Sequence, residues 1–160
     1  GVVHGIKFFL PLLRREEEGH VVNLSSMFGF VGLPFQGPYC ATKAAVRSLS
    51  ETLYVELAGT GIGVTSVHPG AIRTNIVRNS RMGDESRRDG AVDLFDRRGT
   101  EPAVVARRIV DAIDRNRFRL VVTPEAHAVD WLKRLAPTWS QRLVRRFRTD
   151  FGDRESESQA

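Results

Sequence analysis

The sequence predicts an α/β fold in which helices cover both faces of a parallel sheet, a doubly wound arrangement. Three observations predict it. Short runs rich in apolar and β-branched residues alternate with helical segments along the chain. Glycine and proline separate these segments, as in strand, helix, strand units. The chain has 160 residues, 41% of them hydrophobic, which is enough for one domain with a core.

The first part of the chain supplies two helices and a strand. Residues 2–13 predict a helix, whose apolar run at 6–13 is too short to span a bilayer and is expected to be buried. A polar turn leads to a short buried strand at residues 20–24. After a loop rich in glycine and proline, Pro38 opens a helix that reaches about residue 57. The apolar stripe expected on this helix consists of Ala41, Ala45, Leu49 and Leu53.

The alternation continues in the second part. Residues 62–67 predict a strand, residues 100–115 a helix, and residues 118–122 a further strand. The polar, arginine-rich segment 75–99 predicts a mobile loop or short helices that can cover a ligand. The final elements expected are two basic amphipathic helices within 126–147, broken near Pro137, and a disordered polar tail at 149–160.

Composition narrows the functional classes. Lys and Arg total 24 against 19 acidic residues, a net charge of +5 that favours anionic ligands without indicating nucleic acid. The only cysteine, Cys40, cannot form an intramolecular disulfide and is predicted to be a packing residue, which fits a reducing, cytoplasmic location. The four histidines are scattered and lack the spacing of a zinc site, so we expect no bound metal.

The residues that could carry out chemistry lie in one short stretch of the sequence. Tyr39 and Lys43 stand four residues apart and therefore share one face of the predicted helix. An ammonium beside a phenol stabilises the phenolate, so such a pair can exchange a proton with a ligand. Ser25 and Ser26 follow the first strand at its carboxyl end, the edge where open α/β sheets bind ligands. We expect Ser26, 13 residues before Tyr39, to meet the Tyr39 hydroxyl over a substrate.

Three motifs, in order and spacing, resemble those of the short-chain dehydrogenases/reductases. The ordered combination is more specific than a Tyr-x-x-x-Lys pattern alone, and the resemblance runs from residue 1 to about residue 122. It implies a Rossmann-like fold and an NAD(P)-dependent oxidoreductase that interconverts an alcohol and a carbonyl by hydride transfer. The motifs are Asn23-Leu24-Ser25-Ser26, Tyr39-Cys40-Ala41-Thr42-Lys43, and Pro69-Gly70 followed by Thr74.

The resemblance also implies residue roles. Tyr39 would be the general acid/base, Ser26 would polarise and position the substrate oxygen, and Lys43 would stabilise the Tyr39 phenolate and hydrogen-bond the nicotinamide ribose. The segment 75–99 would be the variable loop that sets substrate choice. The residues implied to contact the cofactor, NAD or NADP, are Tyr39, Lys43, Pro69, Gly70 and Thr74.

The chain departs from the family pattern near its beginning. It has no glycine-rich phosphate loop between a strand and a helix, and the segment 59–63, with glycines at alternate positions, follows a helix and precedes a strand, so we interpret it as a helix stop. The catalytic Asn of the family would fall just before Gly1. We therefore expect residues 1–148 to be the C-terminal part of a single domain whose dinucleotide-binding segment lies upstream. The residues that select NAD or NADP would lie there too.

The same residues and the family resemblance also predict what the protein binds. A small alcohol or carbonyl is the expected substrate, and neither nucleic acid nor a membrane is an expected partner. The family resemblance implies a homo-oligomer for the complete protein, through the helices at 2–13 and 38–57. The apolar residues beside Ser26 favour a lipophilic substrate; they are Phe28, Phe30, Val31, Leu33 and Phe35.

Alternatives remain open for these residues. Tyr39 and Lys43 alone could be an ordinary surface pair on a helix, Ser25 a hydroxyl that bonds the backbone, and Thr74 a helix cap. A truncated, non-catalytic fragment could act only as an interaction or dimerisation module. A serine hydrolase using Ser26 and His68 is disfavoured because Ser26 lacks the Gly-x-Ser-x-Gly context of that class.

Overall fold

A computed structural model of the chain describes residues 1–80 and 85–146. The polar tail expected at 149–160 lies outside the described residues. Within them, strands and helices alternate as the sequence predicts. No helix in these ranges is both long and apolar enough to cross a bilayer.

The centre of the fold is a three-stranded parallel sheet in the order β1-β2-β3. The strands are β1 (Gly19–Leu24), β2 (Ile62–His68) and β3 (Arg119–Val121). Every residue of β2 is buried, because it pairs with a strand on each side and lies beneath helices on each face. The three carboxyl ends therefore meet at one edge of the sheet, where the predicted site residues begin.

The helices connect these strands and cover the sheet. Those expected at 100–115 and within 126–147 are present, and residues 137–146 form the second of the basic helices beyond Pro137. In the segment predicted as a loop or short helices, the residues that the structure describes include a helix of 14 residues. The helices are α1 (Val2–Leu13), α2 (Gly37–Glu56), α3 (Glu85–Arg98), α4 (Pro102–Asp114) and α5 (Pro124–Leu135), followed by the helix at residues 137–146.

Two apolar clusters show that the sheet is covered on both faces. Alternate residues of β2 point to opposite faces, so Val64 and Val67 belong to different clusters. The Val64 cluster includes Leu53 and Leu57 at the end of α2, with α1 packed against it, and the Val67 cluster includes Val105 of α4. The doubly wound arrangement predicted from the sequence is confirmed, as a small and incomplete sheet.

Two expectations about burial are wrong. Helix α1 contains no buried residue: its inner side packs against the Val64 cluster, whereas Phe8 and Phe9 on its other side are 65% and 66% exposed. On α2, Ala41 and Ala45 of the expected stripe are exposed. The buried residues of α2 are Leu53 of the expected stripe together with Cys40 and Ser50, since this face meets the sheet and the loop after β1.

Candidate active site

The first part of the candidate site is formed where β1 ends. Ser25, the residue after β1, is 2% exposed, and its hydroxyl donates a hydrogen bond of 2.8 Å to the carbonyl of Lys43 on α2. This contact agrees with the interpretation of Ser25 as a hydroxyl that satisfies the backbone. It also fixes the distance between the strand end and the helix segment that bears Tyr39 and Lys43.

Tyr39 and Lys43 lie on neighbouring turns of α2, as their spacing predicts. The Lys43 Nζ is 5.6 Å from the centre of the Tyr39 ring and donates a 3.0 Å hydrogen bond to the carbonyl of Leu24, the last residue of β1. Partial burial lowers the pKa of Lys43, because desolvation penalises the ammonium. The bond to Leu24 therefore holds a partly desolvated amine between the phenol and the strand end.

Ser26 adopts an extended backbone conformation and begins a short 3₁₀ turn, Met27–Gly29. It is 5% exposed, and its Oγ accepts a 3.2 Å hydrogen bond from the Phe28 N–H. The Phe28 ring in turn packs edge-on against the Tyr39 ring, with 6.3 Å between the ring centres. The 3₁₀ turn thus connects Ser26 to Tyr39, and because Oγ accepts the backbone bond, its own hydrogen remains available to a ligand.

Gly29 allows the 3₁₀ turn and α2 to approach closely. A Cβ at this position would lie 2.8 Å from the Ser25 Oγ and 3.0 Å from the Lys43 carbonyl oxygen. Any side chain would therefore displace the contact between Ser25 and Lys43. The sequence does not reveal this requirement, because Gly29 is one of several glycines in the predicted loop.

The Pro69-Gly70 turn lies beside the same 3₁₀ turn, because the Met27 N–H donates a 3.0 Å hydrogen bond to the Pro69 carbonyl. A Cβ on Gly70 would collide with the side chains of Thr123 and Glu125 at the start of α5. The turn is thus enclosed by two segments that are distant in sequence, and a side chain at its second position would displace Thr123 and Glu125.

Glu125 supports this turn from α5, a role that the sequence analysis missed. Its Oε1 accepts a 2.9 Å hydrogen bond from the Ala71 N–H. Burial would raise the pKa of Glu125, but hydrogen bonds from Thr123, from Ala71 and from its own amide outweigh that effect and lower the pKa. An ionised carboxylate therefore secures the backbone just after Gly70.

Thr74 lies four residues beyond Gly70 on an exposed segment. Its Oγ1 accepts a long, 3.4 Å hydrogen bond from the Ile76 N–H, a local capping contact. The structure therefore places Pro69 against the Ser26 turn and Gly70 against the start of α5, whereas the contact at Thr74 stays within its own segment.

His68 does not form the hydrolase pair considered above. Its Nδ1 lies 3.4 Å from the main-chain carbonyl oxygen of Ser26, and its Nε2 lies 3.0 Å from the Ser66 Oγ. A serine hydrolase requires the imidazole to accept a proton from the nucleophilic hydroxyl. Both ring nitrogens of His68 have other partners, so the structure does not support that alternative.

The apolar residues near Ser26 divide into two groups. Phe30 and Val31 are each 8% exposed and belong to the interior, so they offer little apolar surface to a substrate. Phe35 is 68% exposed and has a positive φ of 62°, an uncommon conformation for a bulky residue. Of these three, Phe35 is the one with apolar surface available near the start of α2.

A separate open cleft of about 660 Å³ lies between α4, β3 and α5. Its lining includes Arg117, Arg119 and Arg134, but none of the predicted site residues. Arg119 and Arg134 both pair with Asp130, at 2.7 and 2.9 Å. We therefore assign the candidate active site to the sheet edge at Tyr39 and not to this cleft.

Comparison with known proteins finds a matching family model and similar proteins. Residues 1–85 match the family model described as short chain dehydrogenase. A protein of Mycobacterium tuberculosis that is named as an oxidoreductase, SadH, is 41% identical over 148 residues, covering 90% of this chain and 54% of its own length. The chain thus spans about half the length of this curated relative.

Solved structures show the same relationship. A short-chain dehydrogenase/reductase from Burkholderia phymatum in complex with NAD superposes with a TM-score of 0.73 at 30% identity, over 83% of this chain and 53% of the other. A short-chain dehydrogenase from Sphingobium yanoikuyae in complex with NADPH gives a TM-score of 0.61 at 27% identity, over 83% of this chain and 50% of the other.

Proposed function

This chain belongs to the short-chain dehydrogenase/reductase family, and we propose that it carries the catalytic side chains of an NAD(P)-dependent oxidoreductase that interconverts an alcohol and a carbonyl. The observation that supports this most strongly is the position of Lys43. Its ammonium lies beside the Tyr39 ring and is held at the carboxyl end of β1 by the Leu24 carbonyl. An ordinary surface pair on a helix does not require this bond to a strand end.

The residues at this edge fit a nicotinamide cofactor. Lys43 has three N–H donors, and one bonds Leu24, which leaves donors for ribose hydroxyls. Gly70 keeps the turn after β2 free of a side chain, and the proposed cofactor contacts are Tyr39, Lys43, Pro69, Gly70 and Thr74. When bound, NAD or NADP supplies or accepts the hydride. The relatives in complex with NAD and with NADPH support this class of cofactor.

The proton chemistry belongs to the protein. In alcohol oxidation, the Tyr39 oxygen accepts the hydroxyl proton of the substrate, and in carbonyl reduction it returns that proton to the substrate oxygen. Lys43 stabilises the phenolate formed when the Tyr39 proton is transferred, because its positive charge is close and partly desolvated. Ser26 donates its hydroxyl hydrogen to the same substrate oxygen and fixes its direction.

Further aspects of the proposal concern the whole protein. In a protein with the length of its relatives, residues 1–148 would be the C-terminal part of one domain, and other residues of that domain would hold the phosphates of the cofactor. We also propose that the substrate is lipophilic and that the complete protein is a homo-oligomer. The exposed side chain of Phe35 offers apolar surface for such a substrate. The free, buried Cys40 supports a reducing compartment, and we propose the cytoplasm.

A binding and turnover experiment tests the proposal. NADH and NADPH are titrated, with cofactor fluorescence as the readout, into the full-length gene product and into the 160-residue chain, and a panel of alcohols of increasing apolar size is then assayed for oxidation. We expect the full-length product to bind one of the two cofactors and to oxidise members of the panel. If neither protein binds NADH or NADPH, the proposed oxidoreductase activity is contradicted, and the alternative of a non-catalytic interaction module is favoured.

A further inference from the structure

His68, the last residue of β2, is 1% exposed and lies outside the group formed by Ser26, Tyr39 and Lys43. Its ring is covered by Phe30, whose centre lies 4.4 Å away. Burying a polar side chain destabilises the protein unless its hydrogen bonds are satisfied. The two hydrogen bonds made by the His68 ring therefore indicate its role in the structure.

One of those bonds lies where the sheet ladder is interrupted. Beyond the end of β1 the parallel pairing continues, because the Ser25 N–H donates to the Val67 carbonyl at 2.9 Å and the Met27 N–H to the Pro69 carbonyl at 3.0 Å. In a parallel ladder, the N–H of the residue two positions after Val67 would donate a hydrogen bond to the Ser25 carbonyl. That residue is Pro69, which has no N–H, so this rung cannot form. The ladder is therefore weakened immediately before Ser26.

The His68 ring makes a bond at this point. Its Nδ1 lies 3.4 Å from the Ser26 carbonyl oxygen, which also accepts a 3.0 Å bond from the Gly29 N–H. A carbonyl only accepts, so Nδ1 carries the hydrogen, and the Nε2 of an uncharged ring then accepts the hydroxyl hydrogen of Ser66 at 3.0 Å. The neutral imidazole satisfies both contacts.

The surroundings keep the ring uncharged. Burial lowers the pKa of His68 to about 4; the bond to the Ser26 carbonyl and the Asp130 carboxylate of α5 oppose this effect, and the guanidiniums of Arg119 on β3 and Arg47 on α2 add to it. The ring is therefore neutral at the pH at which such an enzyme operates, with the tautomer that Ser26 requires.

We propose that His68 is a positioning residue for Ser26. Its Nδ1–H fastens the Ser26 main chain to the end of β2, replacing the cross-strand support that Pro69 removes. Because the Ser26 Oγ already accepts from Phe28, the added bond at its carbonyl fixes both sides of the residue and so the direction in which the hydroxyl points. This inference rests on the proposed role of Ser26 in orienting the substrate oxygen.

The test is a double-mutant cycle in the full-length gene product, with kcat as the readout and dinucleotide binding as the measure of an intact fold. His68→Leu removes the donor and keeps an apolar side chain in the site. We expect it to lower kcat by about tenfold to a hundredfold, with little change in cofactor affinity. In a Ser26→Ala background, the same change should lower kcat by less than about threefold, because its effect acts through Ser26.

The cycle distinguishes two failures. If Ser26→Ala leaves kcat unchanged, the proposed role of Ser26 is wrong, and the role of His68 fails with it. If Ser26→Ala lowers kcat but His68→Leu has the same effect in both backgrounds, only the positioning role is overturned.

A second pair of variants applies if His68→Leu does not fold. His68→Asn places an N–H donor near the position of Nδ1, whereas His68→Gln places one near the position of Nε2. We expect the Asn variant to keep kcat within about threefold of wild type and the Gln variant to lose about tenfold or more. Equal loss in both variants, or the reverse order, would overturn the proposal.

Discussion

The Lys43 ammonium donates a 3.0 Å hydrogen bond to the carbonyl of Leu24, so the central cation of the candidate site is fastened to the end of a strand. Ser25 makes the reciprocal contact, from its hydroxyl to the Lys43 carbonyl at 2.8 Å. The two bonds connect β1 and α2 in opposite directions. Together they hold the segment of α2 that bears Tyr39 and Lys43 against the end of β1, next to Ser26.

The first prediction concerns Tyr39. Tyr39→Phe in the full-length gene product should lower turnover by about a hundredfold or more and leave dinucleotide binding largely unchanged, because only the transferable phenolic proton is removed. Turnover and cofactor fluorescence measure the two effects. Tyr54→Phe is the matched control, since Tyr54 lies on the same helix and stacks on Phe118 at 4.4 Å. Near wild-type turnover in Tyr39→Phe would show that Tyr39 does not transfer the proton.

The second prediction concerns Lys43. Lys43→Met keeps most of the length and the apolar stem of the side chain but removes the charge and the bond to Leu24. We expect kcat to fall by about a hundredfold and cofactor binding to weaken, because the ammonium is proposed to serve both the phenolate and the ribose. Steady-state kinetics separate the two effects. Lys7→Met, on the exposed side of α1, is the control, and an equal loss in that variant would contradict a specific role for Lys43.

The third prediction concerns the packing at Gly29. Gly29→Ala should destabilise the protein by about 1–3 kcal/mol and lower kcat, because the added methyl would displace the Ser25 hydroxyl from the Lys43 carbonyl. Denaturant unfolding and turnover are the measurements. Gly32→Ala in the same loop is the control, since a methyl there would meet nothing within 4 Å. Similar effects in both variants would show that the close approach is not what matters.

Much of this arrangement could be predicted from the sequence, because it depends on local patterns. Alternating apolar and turn segments placed β1, α2 and β2 to within about two residues, and the spacing of Tyr39 and Lys43 placed them on one helix face. The exposed side of α1 could not be predicted from the sequence. An apolar run indicates a surface that favours burial, but it does not show whether other residues of this chain pack against that surface.

Other features depend on tertiary contacts that leave no pattern. The acceptor for Lys43 is a backbone carbonyl at Leu24, and any residue at that position offers one. Gly29 looks like its neighbouring glycines until α2 packs against it. Glu125 supports a turn more than 50 residues earlier in the chain. The contact of His68 leaves no pattern either, because its partner is the main chain of Ser26 and not the Ser26 hydroxyl considered for a hydrolase.

The last prediction concerns the acid sensitivity that His68 confers. Burial lowers its pKa from 6.5 to about 4, so the folded protein binds this proton more weakly than the unfolded chain. The associated stabilisation is therefore fully present above about pH 6.5 and is lost as the pH falls towards 4, by an amount on the order of 3 kcal/mol. His68→Asn removes the titrating group, so the stability advantage of wild type over the variant should shrink by about this amount between pH 7 and pH 4. Denaturant unfolding of both proteins at several pH values measures the difference, and His127→Asn, on an exposed residue of α5, is the matched control. A wild-type advantage that stays constant over this range would contradict a buried, neutral His68.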